Sequence, residues 1–253
     1  MNTKRPQHSV QRVARQLANS PGLRHSDRGP HTECADYTAI VLAGGAARRL
    51  GAGLVGAEGK AGLLLSGRTF LDAVTTTLAT NVGRVIVVAA PGQPLPPVAV
   101  PVEIVRDSTP GAGPLAGIRD GLVHALAGRP VQAVLVASCD VPLLAPAVIQ
   151  RLLDRLAASS ARWVVPVVDG HPQVLVSAMS PDLLGPIERH LAAGRRDLRG
   201  LLDDLRQAEP EDVVVVTEAE VAAADPDCLS FMDVDTPADL EAVRRRRIPP
   251  SPE

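Results

Sequence analysis

The chain has 253 residues, 45% of them apolar and 21% charged, with a formal net charge of -2. That balance excludes an intrinsically disordered chain, and it excludes a global basic field for holding a polyanion. Aromatic residues are only 2%, namely Tyr37, Phe70, Trp163 and Phe231, too few for a stacking platform for single-stranded nucleic acid. No uninterrupted apolar run of about 18 residues occurs, so no membrane-spanning helix is expected. Neither nucleic acid nor membrane is expected as a partner. Cys34, Cys139 and Cys228 form no CxxC pair and no zinc spacing, which points to a reducing, cytoplasmic setting.

Residues 1–36 are rich in Arg, His, Pro and Gly and lack the apolar core of a signal peptide. They read as a disordered basic tail in which Val10 to Ala18 has only two turns of helical pattern. A solvated extension and a nucleic-acid-binding arm both fit such a composition, the first being the commoner. A single domain is expected over 37–247, followed by a short C-terminal tail, 248–253.

Order begins with Thr38 to Ala43 (TAIVLA), a β-branched and apolar run stopped by Gly44-Gly45, the pattern of a buried parallel strand. Thr69 to Thr80 has helical spacing with Thr69 as cap. Arg84 to Ala90 is a second buried strand. Prolines 91, 94, 96, 97 and 101 mark a loop, Val102 to Val105 a short strand, Pro114 to Ala127 a helix, and Val131 to Ser138 a third strong strand. A helix is expected over Pro146 to Ala158. Strands follow at Arg162 to Val168 and Gln173 to Ser177, separated by the turn-like Asp169-Gly170-His171-Pro172. Pro181 to Ala192 and Leu198 to Leu205 read as helices, Val213 to Thr217 and Cys228 to Val234 as strands, and Thr236 to Arg247 as a closing helix. The alternation predicts an α/β domain, Rossmann-like, with a mostly parallel central sheet flanked by helices.

Leu42 to Gly51 (LAGGAARRLG) follows the first strand at its C-terminal end, where ligands bind in open α/β sheets. Gly44 and Gly45 lack a Cβ, so their backbone can approach a phosphate closely; a plain strand-to-loop turn is the alternative. Arg48 and Arg49 offer bidentate donors for phosphate oxygens, and Lys60 a point charge. A Walker A loop is excluded, because Leu54 stands where its first glycine belongs and Ala61 where its Ser or Thr belongs. Gly111-Ala112-Gly113-Pro114-Leu115-Ala116 matches a dinucleotide fingerprint by spacing, but Asp107-Ser108-Thr109-Pro110 separates it from its strand. Asp140 lies just past a strand's C-terminal end, where a carboxylate points into the ligand crevice; a cap for the next helix is the alternative, made poor by Pro142 and the four intervening residues.

Leu42 to Gly51, Lys60, Gly113-Pro114-Leu115-Ala116-Gly117, Cys139-Asp140-Val141-Pro142 and Asp233-Val234-Asp235-Thr236-Pro237-Ala238-Asp239-Leu240 together resemble the molybdenum cofactor guanylyltransferase family. More broadly they resemble nucleotidyltransferases that attach an NMP to a phosphorylated acceptor. The similarity runs from roughly Tyr37 to Arg247, and the GPLAG segment is the part most specific to the molybdopterin branch. Two departures stand out: Gly59 precedes the loop lysine where an Asp is usual, and Val88 stands where some relatives place Asn.

The resemblance implies a Mg²⁺-dependent transfer of GMP from GTP to the terminal phosphate of a molybdopterin-type acceptor, by a monomer or weak homo-oligomer. It implies that Leu42, Ala43, Gly44, Gly45, Lys60, Asp107, Gly113 and Asp140 bind nucleotide, that Arg49 and Lys60 stabilise phosphate charge, and that Asp140 and Asp235 hold the metal. For Asp235 an N-cap role shared with Thr236 fits the spacing equally, and for Asp107 a turn with Ser108-Thr109-Pro110 does. Asp233 is expected on the opposite face of a regular strand. His171 reads either as bordering the acceptor pocket or as a surface turn residue. Arg195, Arg196 and Arg199 read as acceptor-phosphate ligands or as a solvated helix start. A cytidylyltransferase and a non-catalytic nucleotide-binding protein are the rival readings.

Overall fold

All six residues of β1, Tyr37–Leu42, are buried, which requires a sheet covered on both faces. Side chains alternate across the strand, and two separate cores result. Ala39 and Val41 point with Val85, Val87, Leu135 and Ala137 into one; Ile40 and Leu42 point with Ile86, Val88, Val134 and Val136 into the other. The chain is described here by a computed structural model covering residues 36–44, 49–50 and 54–246. Residues 1–35 of the expected basic tail, Gly45, Arg48 and the C-terminal tail lie outside the described residues.

In chain order the remaining elements are a hairpin of β2 (Leu64–Leu65) and β3 (Arg68–Thr69), α1 (Phe70–Ala79), β4 (Arg84–Ala89), β5 (Glu103–Arg106), α2 (Pro114–Leu126), β6 (Ala133–Ser138) and α3 (Pro146–Ala157). Then come β7 (Trp163–Val168), β8 (His171–Pro172), β9 (Val176–Met179), α4 (Leu184–Ala192), α5 (Leu198–Ala208), β10 (Val213–Val216), α6 (Glu218–Ala222) and α7 (Pro237–Arg245). The main sheet runs β10-β7-β9-β6-β1-β4-β5. Along this path its pairs are parallel except those of β9, which is antiparallel to β6 and to β7, and β8 adds an antiparallel pair on β7. Leucines and valines of α1 and α3 cover one face, and those of α2, α4 and α5 the other. The architecture is therefore the expected α/β one, with a mostly parallel sheet. Among the described residues no helix is long and apolar enough to cross a membrane.

Helix α2 lies unusually close to β1. A Cβ on Gly121 would sit 2.8 Å from Ile40 Cγ2, and one on Gly117 3.1 Å from Leu42 Cδ2. The glycine that closes the GPLAG segment is thus a packing glycine, which seats the helix against the strand leading to Gly44. Thr69 caps α1 as expected, accepting from the Asp72 amide.

Three expectations are corrected. Cys228 to Val234 is not a strand: Leu229–Phe231 is a 3-10 turn entered from Cys228 at φ 51°. The cause is local side-chain bonding, which competes with a ladder. The Ser230 amide donates to Asp225 Oδ2, and Ser230 Oγ accepts from the Ala145 amide. The strand expected over Gln173 to Ser177 begins later, at Val176. His171 and Pro172 pair with Val168 and Val167, so the turn is only Asp169-Gly170, both with positive φ. The β2–β3 hairpin and α6 had no counterpart among the predicted elements; each strand is two residues and the helix five, too short to carry a period.

Candidate active site

Because β1, β4, β5 and β6 are parallel neighbours, they end at one rim, and backbone bonds continue just past them. The Ala43 amide donates to the Val88 carbonyl at 2.8 Å, Cys139 to Leu42 at 3.0 Å, and Asp107 to Ala89 at 2.9 Å. These bonds fix the first residues of three rim loops. A cleft of about 970 Å³ opens there, lined by Gly44, Gly59, Gln93, Asp107, Gly113 and Asp140, with Leu42 and Val88 also on its wall. Residues 44, 107, 113 and 140, far apart in sequence, share one crevice. Ala43 does not line it: it is buried, and both its backbone groups are taken, the carbonyl accepting from Gln93 Nε2 at 3.1 Å.

Gly44 and Gly113 are glycines for different reasons. Gly113 has φ 86° and a Cβ there would meet the Arg196 carbonyl at 3.4 Å, so the backbone itself demands glycine. A Cβ on Gly44 would lie 3.5 Å from the Ala90 nitrogen, an ordinary contact. The fold therefore tolerates a side chain at 44, and its absence leaves room in the cleft. Gly113, Pro114 and Gly117 bring the first turns of α2 to the cleft wall, and with them the positive end of a helix dipole.

A third apolar cluster joins the Lys60 segment to the end of the chain. Leu63, Leu65 and Phe70 pack with Val234, Leu240 and Val243. This brings Lys60, on the 3-10 turn Gly59–Gly62, against Asp235 at the start of α7. Lys60 Nζ donates to Asp140 Oδ2 at 2.7 Å and to Asp235 Oδ1 at 2.5 Å. Arg49 Nη1 reaches the other Asp235 oxygen at 3.1 Å while staying 76% exposed. The Lys60 and Asp140 side chains are 14% and 17% exposed, that of Asp235 39%.

The structure bears on each alternative left open by sequence. Asp235 is not the cap of α7: Thr236 is, in a capping box with Asp239, so the Asp235 carboxylate is left to Lys60 and Arg49. Asp140 caps nothing either; the N-cap of α3 is Ala145. Asp107 Oδ1 accepts from the Thr109 amide at 2.8 Å, so it has the turn role while also lining the cleft. His171 binds the Asp169 carbonyl through Nδ1 at 2.7 Å and is not part of the cleft wall. Arg195 is paired with Asp204, whereas Arg196 and Arg199 are exposed.

Burial works against the Lys60 charge, but Asp140 and then Asp235 outweigh it and hold the ammonium above the usual lysine value. Asp233 is pushed up, first by burial and then by the charges of Asp140 and Asp235. The opposite-face expectation for Asp233 required a regular strand, and with no strand there the alternation does not apply. Cys139 is pushed up by complete burial and is no nucleophile.

The carboxylate pair suits a hard divalent cation. Asp140 and Asp235 converge on one positive centre, which in this structure is the Lys60 ammonium. Among the described residues no group of three or more His, Cys, Asp or Glu is placed to hold a metal. Two carboxylates completed by substrate phosphates is a magnesium-like donor set, not an all-protein cage.

The MobA-like NTP transferase domain model matches residues 39–208. The chain belongs to this family. A probable molybdenum cofactor guanylyltransferase from Mycobacterium avium (strain 104) is 36% identical over 211 residues, covering 82% of this chain and 95% of the relative. One from Mycolicibacterium paratuberculosis matches to the same extent. Molybdopterin-guanine dinucleotide biosynthesis protein A from Archaeoglobus fulgidus shares the fold, with a TM-score of 0.65 at 22% identity, over 82% of this chain and 96% of that one. The protein is a nucleotidyltransferase, and its own fold puts Gly44 and Asp140 at a common rim with Lys60 bonded to Asp140. Gln93, inside the proline-rich loop, was not singled out by sequence; the signal available was a Pro-Gly turn directly after a rim strand.

Proposed function

We propose that this MobA-like enzyme transfers GMP from GTP to the terminal phosphate of a molybdopterin-type acceptor. An acceptor phosphate oxygen attacks the α-phosphorus in line, a new P–O bond forms, the bond to the bridging oxygen breaks, and pyrophosphate leaves. Phosphoryl chemistry of this kind asks the protein for positioning and charge neutralisation, and for no side-chain nucleophile. The observation that carries the reading is the single cleft shared by Gly44, Asp107, Gly113 and Asp140, with Lys60 bound to Asp140 at its edge.

In this reading Gly44 and Gly45, which follow Leu42 and Ala43 in the chain, take the triphosphate. Lys60 and Arg49 exchange their carboxylate partners for phosphate oxygens. The Asp107 carboxylate accepts N–H bonds from the guanine edge, and Gly113 lets the backbone approach the nucleoside. Mg²⁺, held by Asp140 and Asp235, supplies charge neutralisation to the phosphates when bound. The names of the mycobacterial relatives support guanine and a molybdenum cofactor acceptor over other pairs.

The test is pyrophosphate release by purified protein with Mg²⁺, molybdopterin and each of the four nucleoside triphosphates in turn. GTP is expected to support release only when the acceptor is present. Preference for CTP would overturn the base assignment. Tight GTP binding without release, in wild type and Asp140→Asn alike, would overturn turnover itself and leave a binding protein.

A further inference from the structure

One amide holds three segments of the cleft together. The turn Ala90-Pro91-Gly92-Gln93 closes with the Gln93 amide donating to the Ala90 carbonyl at 3.2 Å, with Pro91 ahead of a positive-φ Gly92 (φ 73°), the arrangement of a type II turn. Arg106 braces it from β5, donating to the Ala90 and Gln93 carbonyls at 3.1 and 2.8 Å. The Gln93 side chain then points back to the rim. Its Oε1 accepts from the Ala90 amide at 3.1 Å, and its Nε2 donates to the Ala43 carbonyl at 3.1 Å and to the Glu58 carbonyl at 2.9 Å.

Ala43 immediately precedes Gly44, and Glu58 lies two residues before Lys60. Both Nε2 hydrogens are spent on two carbonyls from two different segments, while the carbonyl of the same amide accepts from the Ala90 amide, one residue past β4. Only an amide side chain supplies two donors and an acceptor in this fork. A carboxylate of the same size would face two carbonyl oxygens; an apolar side chain would leave those carbonyls without partners.

We infer that Gln93 is a positioning residue of this transferase, the strut that sets the separation between Ala43-Gly44 and the Lys60 segment. Lys60 meets its phosphate only if the backbone that carries it is held at the right distance from Gly44, and errors of about 1 Å cost catalysis steeply. The inference deepens the proposed site without depending on which nucleotide base or acceptor it takes.

Two measurements test it. The first needs no substrate: hydrogen exchange of the free protein, wild type against Gln93→Met and Gln93→Glu. Both variants are expected to exchange at least about tenfold faster at 56–63, with rates at β6 and α3 unchanged. Unchanged exchange at 56–63 would overturn the strut, and faster exchange everywhere would make Gln93 a general stability residue instead. The second is a double-mutant cycle in kcat/KM with GTP, Mg²⁺ and molybdopterin. Gln93→Met is expected to lower kcat/KM by about 10–100-fold in the wild type, mainly through kcat, and by less than about threefold in the Lys60→Ala background, because the two act as a unit. Equal losses in both backgrounds would overturn the inference. Absence of wild-type turnover would instead refute the substrate reading, leaving the exchange experiment to decide on Gln93.

Discussion

Replacing Lys60 by Met separates the apo state from the working state. In the free protein the ammonium is counter-ion to Asp140 at 2.7 Å and to Asp235 at 2.5 Å. Without it two carboxylates face each other across the vacated position, and Arg49 touches only Asp235. Two like charges roughly 5 Å apart repel by about 3 kcal/mol at an effective dielectric of 20. Water around Asp235, which is 39% exposed, reduces this to about 1–2 kcal/mol. A divalent cation relieves that repulsion and no longer has to displace an ammonium. Lys60→Met should therefore bind Mn²⁺ about tenfold more tightly than wild type in the absence of nucleotide, at about 1.4 kcal/mol per tenfold. Turnover should move the opposite way, down by about 10²–10³ for the loss of one charged transition-state contact. The assay is a titration of free Mn²⁺ by its paramagnetic resonance signal, without nucleotide. Equal or weaker Mn²⁺ binding by the variant would refute the placement of the metal on the Asp140–Asp235 pair.

Three further outcomes follow from other parts of the structure. Gly121→Ala drives a methyl group into Ile40 and should destabilise by about 1–3 kcal/mol, read as a lowered Tm; Gly44→Ala, in ordinary contact only, should leave Tm unchanged and raise the KM for the triphosphate. Thr236→Ala removes the cap of α7 and should cost about 1 kcal/mol of stability in a chemical denaturation curve, whereas Asp235→Asn should leave the melt nearly unchanged and cut turnover. The Glu103 carboxyl is held down from 4.5 to about 2, first by its hydrogen bonds from Arg84. With the folded value below the unfolded one, its stabilisation is present above pH 4.5 and is lost as pH falls towards 2. Melting curves between pH 5 and pH 2 should therefore fall more steeply for wild type than for Glu103→Gln.

Much of this was legible because the strands are long, buried and β-branched. Residues such as Ile40, Ile86 and Val134 can only lie in a sheet covered on both sides, and a parallel sheet has one rim where every C-terminal end meets. Gly44, Asp107 and Asp140 each follow such an end, so their convergence was implied by the strand pattern. What sequence could not reach were contacts made by irregular backbone. The segment carrying Asp233 is not a strand because Ser230 bonds to Asp225 instead of a ladder partner, and no periodicity encodes that. Ala43, named within the LAGG motif, turns out to spend its backbone inside the protein. Gln93 was hidden among prolines, since its importance lies in which carbonyls its amide reaches.

The most direct test of the shared cleft is the ¹H–¹⁵N spectrum of the protein with GTP and Mn²⁺ in place of Mg²⁺. Paramagnetic broadening should remove the signals of Gly44, Gly59, Lys60, Asp140 and Asp235 together, while those of Val213–Val216 at the sheet's far edge persist. Broadening centred away from Asp140, or at Asp140 with Gly44 untouched, would contradict the account.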